Sequence, residues 1–454
     1  MEQNTHFRIT DTNLDILKKH LFPGDGLEAS AILLASSSLI QNDLIFIVQD
    51  IIPVPYSECT RYKDYLTWPG KYIEEGIEKG ESTNLSIFLV HSHPSGINTF
   101  SKTDNESDHI VIPCIFAAYG DYHGSIILTP EGKLKGRVYT NDLSCQYIDK
   151  FLIVGHNIEL ITQNGSDHIL PFSSQMNDTL RNLKVGIIGT SGTGSIVTEC
   201  LARLGIGNIV LIDDDKIEHK NLNRILNSTL EDANTHRFKV DMLSDAISKY
   251  RPEINILPIR KKVGTKEAIL QLACCDILIS CVDTLAARMY ADLISEYFLI
   301  PLFDIGVTIP TGIQNGHPYI TEVCARLDYI QPQKSSLRDR KVYDSISLSN
   351  EELKVTAPDI YQQRLREGYI KGIHDEAPSV ISLNMFVSSL CINEILARVF
   401  PFRHEPNCNY ARTLICLGAN ETDYTKEDEF LRSEKLNLGK GLTFPLLDLL
   451  SLGD

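Results

Sequence analysis

Short apolar runs alternate with turn residues from about residue 28 to 140: ASAILLAS, DLIFIVQDIIPV, LSIFLVHSH, SIILTP and GRVYT, with one helical-looking segment over Tyr72–Lys79. Runs of this length, rich in Ile, Val and Leu and bounded by turn residues, predict strands, and the helix among them predicts a mixed α/β unit. Between roughly 155 and 180 the stretch NIELITQNGSDHILPFSSQMNDTLRN carries Asn, Gly, Ser and Asp without sustained periodicity. A domain boundary is expected inside it, dividing the chain into units 1–155 and 156–454. From 184 the pattern becomes strand, glycine turn, helix and strand: KVGIIG, TSGTGSIVTECLARLG and NIVLID, followed by INILPI, CDILISCVD and PLFDIGV. Apolar strands alternating with amphipathic helices predict a mostly parallel, Rossmann-like sheet covered on both faces. Residues 328–375 are richer in charge and read as a mobile crossover or a surface helical insertion, and PSVISLNMFVSSLCINEILARVF reads as a long, buried packing helix.

Composition adds exclusions. A chain of 454 residues with 43% hydrophobic and 22% charged residues is ordinary for a soluble protein, and its length calls for more than one core. A formal net charge of -16 argues against a protein that grips phosphate backbones, so no nucleic-acid partner is expected. No run approaches the roughly 18 apolar residues of a membrane span. The first twenty residues have no stretch of signal-peptide type, which predicts a cytoplasmic protein with no membrane partner. Eleven irregularly spaced cysteines fit reduced thiols better than a disulfide framework. Without a C-x-x-C pair, a thiolate-rich structural zinc site is not expected.

Chemistry concentrates in two places. In HSHPSGINTFSKTD, His91 and His93 are one residue apart at the end of an apolar run, so on a strand both imidazoles leave the same face. Asp104 follows after a turn and offers a third ligand. Donors of N, N and O type suit zinc and leave a fourth tetrahedral position for water, whose pKa the metal lowers toward about 7. That is the inventory of a hydrolytic site. Ser101 and Asp104 are also spaced as a helix capping box, in which the serine merely satisfies free amides.

The spacing H-x-H-P-x6-S-x-x-D resembles the JAMM (MPN) zinc metalloproteases at every specified position. By that resemblance Glu28, just before an early strand, is the general base, and Ser101 stabilises the tetrahedral oxyanion.

In the second place, strand KVGIIG leads through Gly189, Gly192 and Gly194 into a helix, so helix N-terminal amides face any phosphate set over the turn. Asp213 ends the next strand, where an acidic side chain can bond a ribose hydroxyl. Those residues alone would also suit a dinucleotide. The following DDDKIEHKNLNR resembles the ThiF/MoeB and ubiquitin-activating family, which carries an acidic pair and then Asn-Leu-x-Arg. By that resemblance Asn221 and Arg224 contact ATP phosphates, Lys239 neutralises charge on them, and Asp283 binds magnesium. Asp215 and Arg288 match family positions as well. A carboxylate attacking an α-phosphorus brings like charges together, which is why cations are required.

Departures from the family are specific. Ser191 replaces a glycine of the turn, and the paired C-x-x-C motifs are missing, with QPQKSSLRDR where the first would fall. His374 stands roughly where thioester-forming relatives place a cysteine. Cys324 and Cys408 are the remaining thiol candidates. The arginine that dimeric relatives supply upstream of the first strand is not evident near Asp167.

Together the two resemblances imply a bifunctional enzyme of a ubiquitin-like protein pathway. Its zinc unit would cleave a peptide or isopeptide bond at the C-terminus of a ubiquitin-like protein, and its ATP-dependent unit would adenylate that terminus, as a homodimer. The alternative is an adenylating enzyme for a short peptide or sulfur-carrier protein, with the JAMM unit releasing the product.

Overall fold

Strand β2 (Ser30–Ile40) shows why the first half folds as a two-faced sheet. Its Ala31, Leu33 and Ala35 enter one apolar core while Ile32 and Leu34 enter another, so an unbroken apolar run is buried on both sides. In the computed structural model of the chain, which describes residues 3–162, 174–314, 317–366, 380–434 and 437–453, this strand lies inside a nine-stranded mixed sheet. The other elements of this half are β1 (Asn4–Thr10), α1 (Asp11–Leu21), β3 (Asp43–Pro53), the hairpin β4 (Thr60–Arg61) and β5 (Leu66–Thr67), α2 (Lys71–Glu81), β6 (Ser86–Ser92) and α3 (Lys102–Phe116). They continue with β7 (Tyr122–Leu128), β8 (Leu134–Thr140), β9 (Cys145–Tyr147), β10 (Lys150–Val154) and β11 (Ile158–Thr162).

The sheet order is β11-β10-β1-β3-β2-β6-β7-β8-β9. On one face Leu14, Leu17 and Leu21 of α1 cover Phe7, Phe46, Phe88 and Phe151. On the other, Tyr72 of α2 and Ile112 and Ile115 of α3 cover Ile32, Leu34 and Ile87. The predicted helix over Tyr72–Lys79 is α2, one or two residues longer at each end.

The second half comprises α4 (Ser174–Asn182), β12 (Lys184–Ile188), α5 (Gly192–Leu204), β13 (Asn208–Ile212), α6 (Leu230–Asn234), α7 (Lys239–Ser248), β14 (Asn255–Ile259) and α8 (Lys266–Ala273). It continues with β15 (Ile277–Ser280), α9 (Leu285–Phe298), β16 (Leu302–Thr308), the hairpin β17 (Thr311–Gln314) and β18 (His317–Ile320), and β19 (Cys324–Ile330). Last come α10 (Ser345–Thr356), α11 (Pro358–Arg366), α12 (Ile381–Val399), β20 (Arg412–Cys416) and β21 (Glu421–Thr425).

Its eight-stranded sheet runs β14-β13-β12-β15-β16-β19-β20-β21. The first five strands, those expected from the sequence, pair in parallel, and the last three join antiparallel. This is a Rossmann-like α/β sheet whose strand order reverses about β12, the position at which such folds bind ligands. Helix α10 buries none of its residues, as a surface insertion should. Helix α12 is the expected packing helix, lying on α5 and β16. Its first turns, however, leave Met385 and Phe386 43% and 48% exposed.

The chain divides into two units, and the division departs from the sequence boundary. Among the described residues, those through Thr162 belong to the first unit, and so do Tyr297–Leu299 and Asn437–Gly453. The returning tail is tied to strand β2 and its neighbour: Ser36 Oγ and Gln49 Nε2 donate to the Gly439 carbonyl at 2.6 and 3.1 Å, and Leu442 N donates to Ser38 Oγ at 3.0 Å. Polar serines on an otherwise apolar strand hold it, a long-range pairing that no local pattern announces. Among the described residues no helix is long and apolar enough to cross a membrane.

Candidate functional site

Strand β6 delivers His91 on its penultimate position, and the chain carries His93 just beyond. The register of β2 with β6 sets Ser30 opposite His91, and Ser92 N and Oγ bond the Ala29 backbone, so Glu28 is drawn to the same edge. Helix α3 then begins with Ser101 as its cap. His91 Nε2 stands 3.1 Å and His93 Nε2 3.5 Å from the Asp104 carboxylate, and the two imidazole nitrogens are 3.0 Å apart. All three ligand atoms lie within 4.8 Å of one another. His93 Nδ1 contacts the Ile97 carbonyl at 2.8 Å, which leaves Nε2 free to face a metal. Donor types and convergence fit zinc, with His91, His93 and Asp104 as the residues that could hold it.

Electrostatics follow from this packing. Burial works to raise the Asp104 carboxyl, but hydrogen bonds to both histidines hold it well below the carboxylate range. Burial works to lower His93, yet its bond to Asp104 raises it on balance. Glu28 is 7% exposed, and its burial raises its carboxyl despite the pull of His91 and His93. A buried carboxyl beside two imidazoles has the environment of a proton-transfer group. Ser101 takes part in the capping box: its Oγ accepts from Asp104 N at 3.1 Å, and its own N donates to Asp104 Oδ2 at 2.6 Å. The serine thus fixes the orientation of a ligand while capping the helix.

Sequence reading missed what holds α3 in place. Buried Asp108 accepts from Ser125 Oγ at 2.5 Å, from Arg137 Nη2 at 2.7 Å and from Tyr139 OH at 3.0 Å. Arg137 also donates to the Asp104 carbonyl at 3.2 Å and to Asn105 Oδ1 at 2.5 Å. One arginine on β8 therefore ties down the first turn of the helix that carries the third ligand. Only the apolar setting of Arg137 in GRVYT hints at it.

In the second unit the glycines lie where β12 ends. Gly189 has φ +85°, and its N donates to the Ile212 carbonyl at 2.9 Å. A Cβ on Gly194 would stand 1.9 Å from the Gly189 carbonyl oxygen, so the turn closes only with glycine there. Ser191 has φ -84°, outside the left-handed region that favours glycine. Above Gly192 sit Asn384 of α12 and Arg224; a Cβ there would be 2.3 Å from the first and 3.5 Å from the second's Cδ. Asn384 is a residue of this site that the sequence did not reveal, because its helix follows so much later.

The charged residues are tied within the chain. Asp213 accepts from Thr190 N at 2.7 Å and Thr190 Oγ1 at 3.0 Å, and from Asp215 N at 2.9 Å, and so shapes the turn. Burial raises its carboxyl. Lys239, buried at the start of α7, pairs with exposed Asp215 at 2.7 Å. Asn221 accepts from Glu218 N at 3.0 Å, and half-buried Arg224 donates to the Lys220 carbonyl at 3.0 Å. Asp283 is exposed two residues after Cys281, whose carbonyl lies against Gly189. Lys239 and Arg224 each keep further donors, which fits a triphosphate over the glycine turn and a cation at Asp283. Arg288 has a different place: it donates to the Val282 and Ile305 carbonyls at 2.7 and 3.0 Å and to Asp304 at 3.2 Å, bracing the loop that carries Asp283.

Of the thiol candidates, Cys324 does not look like a nucleophile. Burial, with Glu322 and Cys416 beside it, pushes Cys324 up to about 12. A thiol held that high is a poor thiolate source. Cys408 is half-buried in a short turn, 3.8 Å from Asn409 Oδ1. His374 and Asp167 lie outside the described residues.

The molybdopterin-synthase adenylyltransferase of Escherichia coli is 30% identical over 131 residues, 29% of this chain and 51% of that protein. The ubiquitin-like modifier-activating enzyme 5 of Aedes aegypti is 28% identical over 143 residues, 29% of this chain and 35% of that protein. The chain spans about half the length, or less, of these curated relatives. Among solved structures, E. coli MccB with ATP is similar with a TM-score of 0.43 and 19% identity, over 57% of this chain and 67% of that one. A family model described as ThiF matches residues 166–423, more than half of the 454 residues, and the protein belongs to the ThiF family.

Proposed function

We propose that the chain joins two chemistries: zinc-dependent cleavage of a peptide or isopeptide bond in the first unit, and ATP- and magnesium-dependent adenylation of a C-terminal carboxylate in the second. Both act on a ubiquitin-like protein, whose trimmed terminus supplies the carboxylate. The observation that carries this reading is the convergence of His91, His93 and Asp104 within 4.8 Å in a chain of the ThiF family. Likeness to molybdopterin-synthase adenylyltransferase and to ubiquitin-like modifier-activating enzyme 5 supports a small protein as substrate. A homodimer in the cytoplasm is the setting this reading assumes, with neither nucleic acid nor membrane as a partner.

In the first unit His91, His93 and Asp104 would hold zinc, which supplies Lewis acidity and lowers the pKa of water. Glu28 takes the proton of the attacking water and returns it to the leaving amine, a task suited to a carboxyl raised by burial. Ser101 orients Asp104 and offers its hydroxyl to the developing oxyanion.

In the second unit the helix-start amides of Gly192 to Gly194 face the phosphates, and Arg224 and Lys239 offset their charge. Asn221 contacts the phosphates, Asp213 keeps an acceptor position on Oδ1 for a ribose hydroxyl, and Asp283 would hold magnesium. A carboxylate oxygen of the substrate bonds to the α-phosphorus as the bond to pyrophosphate breaks, and the electron pair leaves with pyrophosphate. Asp215 positions Lys239, and Arg288 positions the Asp283 loop.

Adenylation is tested by ATP–pyrophosphate exchange with ubiquitin-like candidates encoded beside the gene. Exchange dependent on an intact candidate, and lowered about 10²–10³-fold in Lys239→Met, is expected. Exchange with short peptides but with no folded candidate would instead favour the peptide reading. No exchange with either would remove adenylation altogether.

A further inference from the structure

The absence of C-x-x-C pairs removes the local route to a thiolate metal site, but the sheet of the second unit builds one across strands. Cys324 opens β19, Cys416 closes β20, and the register pairs them directly. Leu417 N donates to the Val323 carbonyl at 2.9 Å, so residues 323 and 417 form the hydrogen-bonded pair. Cys324 and Cys416 therefore occupy the adjacent non-hydrogen-bonded pair, in which Cα atoms approach to about 4.5 Å and side chains leave the same face close together. Glu322, two residues before Cys324, turns its carboxylate to the same place. Cys416 Sγ lies 3.5 Å from Glu322 Oε1, and the ligand atoms of all three residues fall within 4.8 Å of one another.

We infer that Glu322, Cys324 and Cys416 form a binding site for a thiophilic divalent cation, with zinc the ion whose chemistry fits two sulfurs and one carboxylate oxygen. Tetrahedral zinc with its usual bond lengths sets a sulfur and an oxygen ligand about 3.6 Å apart, the spacing already found between Cys416 and Glu322. Sulfur donors select zinc over magnesium or calcium. A solvent molecule completes the fourth position, and each thiol gives its proton to solvent as its metal–sulfur bond forms.

The ion would clamp the open end of the β19–β20 pair. Val323 and Leu417, the next residues along each strand, line an apolar cavity of about 360 Å³ with Ile309, Leu383 and Phe386. Metal binding thus stiffens two chain segments that form one wall of that cavity.

The test uses the full-length protein, reduced with a phosphine, stripped of metal and titrated with Co²⁺. Thiolate-to-cobalt charge-transfer absorption reports sulfur ligation alone, so a His-His-Asp site is silent in it. The expected result is a band that is complete by two equivalents, one for each proposed metal site, is displaced by Zn²⁺, and is absent in Cys324→Ala and Cys416→Ala. Glu322→Gln should keep the band and weaken cobalt binding by more than about tenfold, since a lost ligand costs at least what a lost outer partner does. In the wild-type protein Zn²⁺ should slow alkylation of Cys324 and Cys416 but not of exposed Cys114. No band, a band that survives in both cysteine variants, or equal protection of Cys114 would overturn the site.

Discussion

The two candidate sites are built in opposite ways. In the first unit three ligands come from fourteen contiguous positions, His91 to Asp104, folded by one strand end and one helix cap, and only Glu28 arrives from elsewhere. In the second, the groups over the glycine turn come from Gly189 to Asn384, carried by strand ends, a short turn and two helices. The first site is fixed by local geometry, with its donors already facing one another. In the second, cations rest on internal partners, Lys239 on Asp215 and Arg224 on the Lys220 carbonyl. A local motif announces its chemistry. A dispersed site announces only its glycine turn and leaves its clamp to the fold.

The sharpest way to break this comparison is to remove proton transfer from the first site without touching its ligands. Glu28→Gln should lower hydrolysis by about 10²–10⁴-fold, leaving zinc content, read by elemental analysis, at the wild-type level. An equal loss of zinc would make Glu28 a ligand instead.

The next effect is on stability and concerns the second sheet. Asp328, fully buried, bonds Arg340 Nη1 at 2.9 Å and Arg412 Nε at 2.8 Å and also pairs with Arg326. Burial alone would raise its carboxyl, but the three arginines hold it below the usual range. Removing one partner of such a cluster costs about 3–5 kcal/mol. Arg340→Met should therefore lower the melting temperature clearly, while a surface change such as Lys102→Met should not. Because the folded state depresses the pKa of Asp328, its contribution is present above the unfolded value near 4 and is lost as pH falls below it. In Asp328→Asn this acid-induced part of the loss should shrink.

A smaller change sharpens the account of the first site. Arg137→Lys keeps the charge but cannot hold Asp104, Asn105 and Asp108 together, and should weaken zinc affinity by about 10–100-fold in a competition titration with a chelator. A further substitution, Ser101→Ala, separates the two roles of this serine. Loss of the cap alone costs about 1 kcal/mol of stability, whereas loss of oxyanion contact lowers hydrolysis by about 10²–10³-fold at unchanged zinc content.

How much was legible follows the same division. The five parallel strands of the second unit, α2 and α12 were readable because apolar period and length agree with what those elements bury. Strand β1, an interior strand of the first sheet, was not, because NTHFRIT mixes polar and apolar residues and gains its place by parallel pairing with β3 and β10. Every predicted ligand of the first site converges. Arg137, Asp108 and Asn384 were invisible because their partners are distant in sequence, and Cys416 became meaningful only through the register of β19 with β20. Arg288 was readable as a position but not as a role, since its contacts are backbone carbonyls on two different segments.

The most direct test of two independent chemistries in one chain is intact mass spectrometry of a ubiquitin-like candidate incubated with the protein, ATP and Mg²⁺. The account predicts a trimmed and AMP-bearing product with the wild type, adenylation only of a pre-trimmed candidate with Glu28→Gln, and trimming without AMP addition with Asp283→Ala. Failure of Glu28→Gln to adenylate a pre-trimmed candidate would contradict it, as would loss of trimming in Asp283→Ala or AMP addition that persists in that variant.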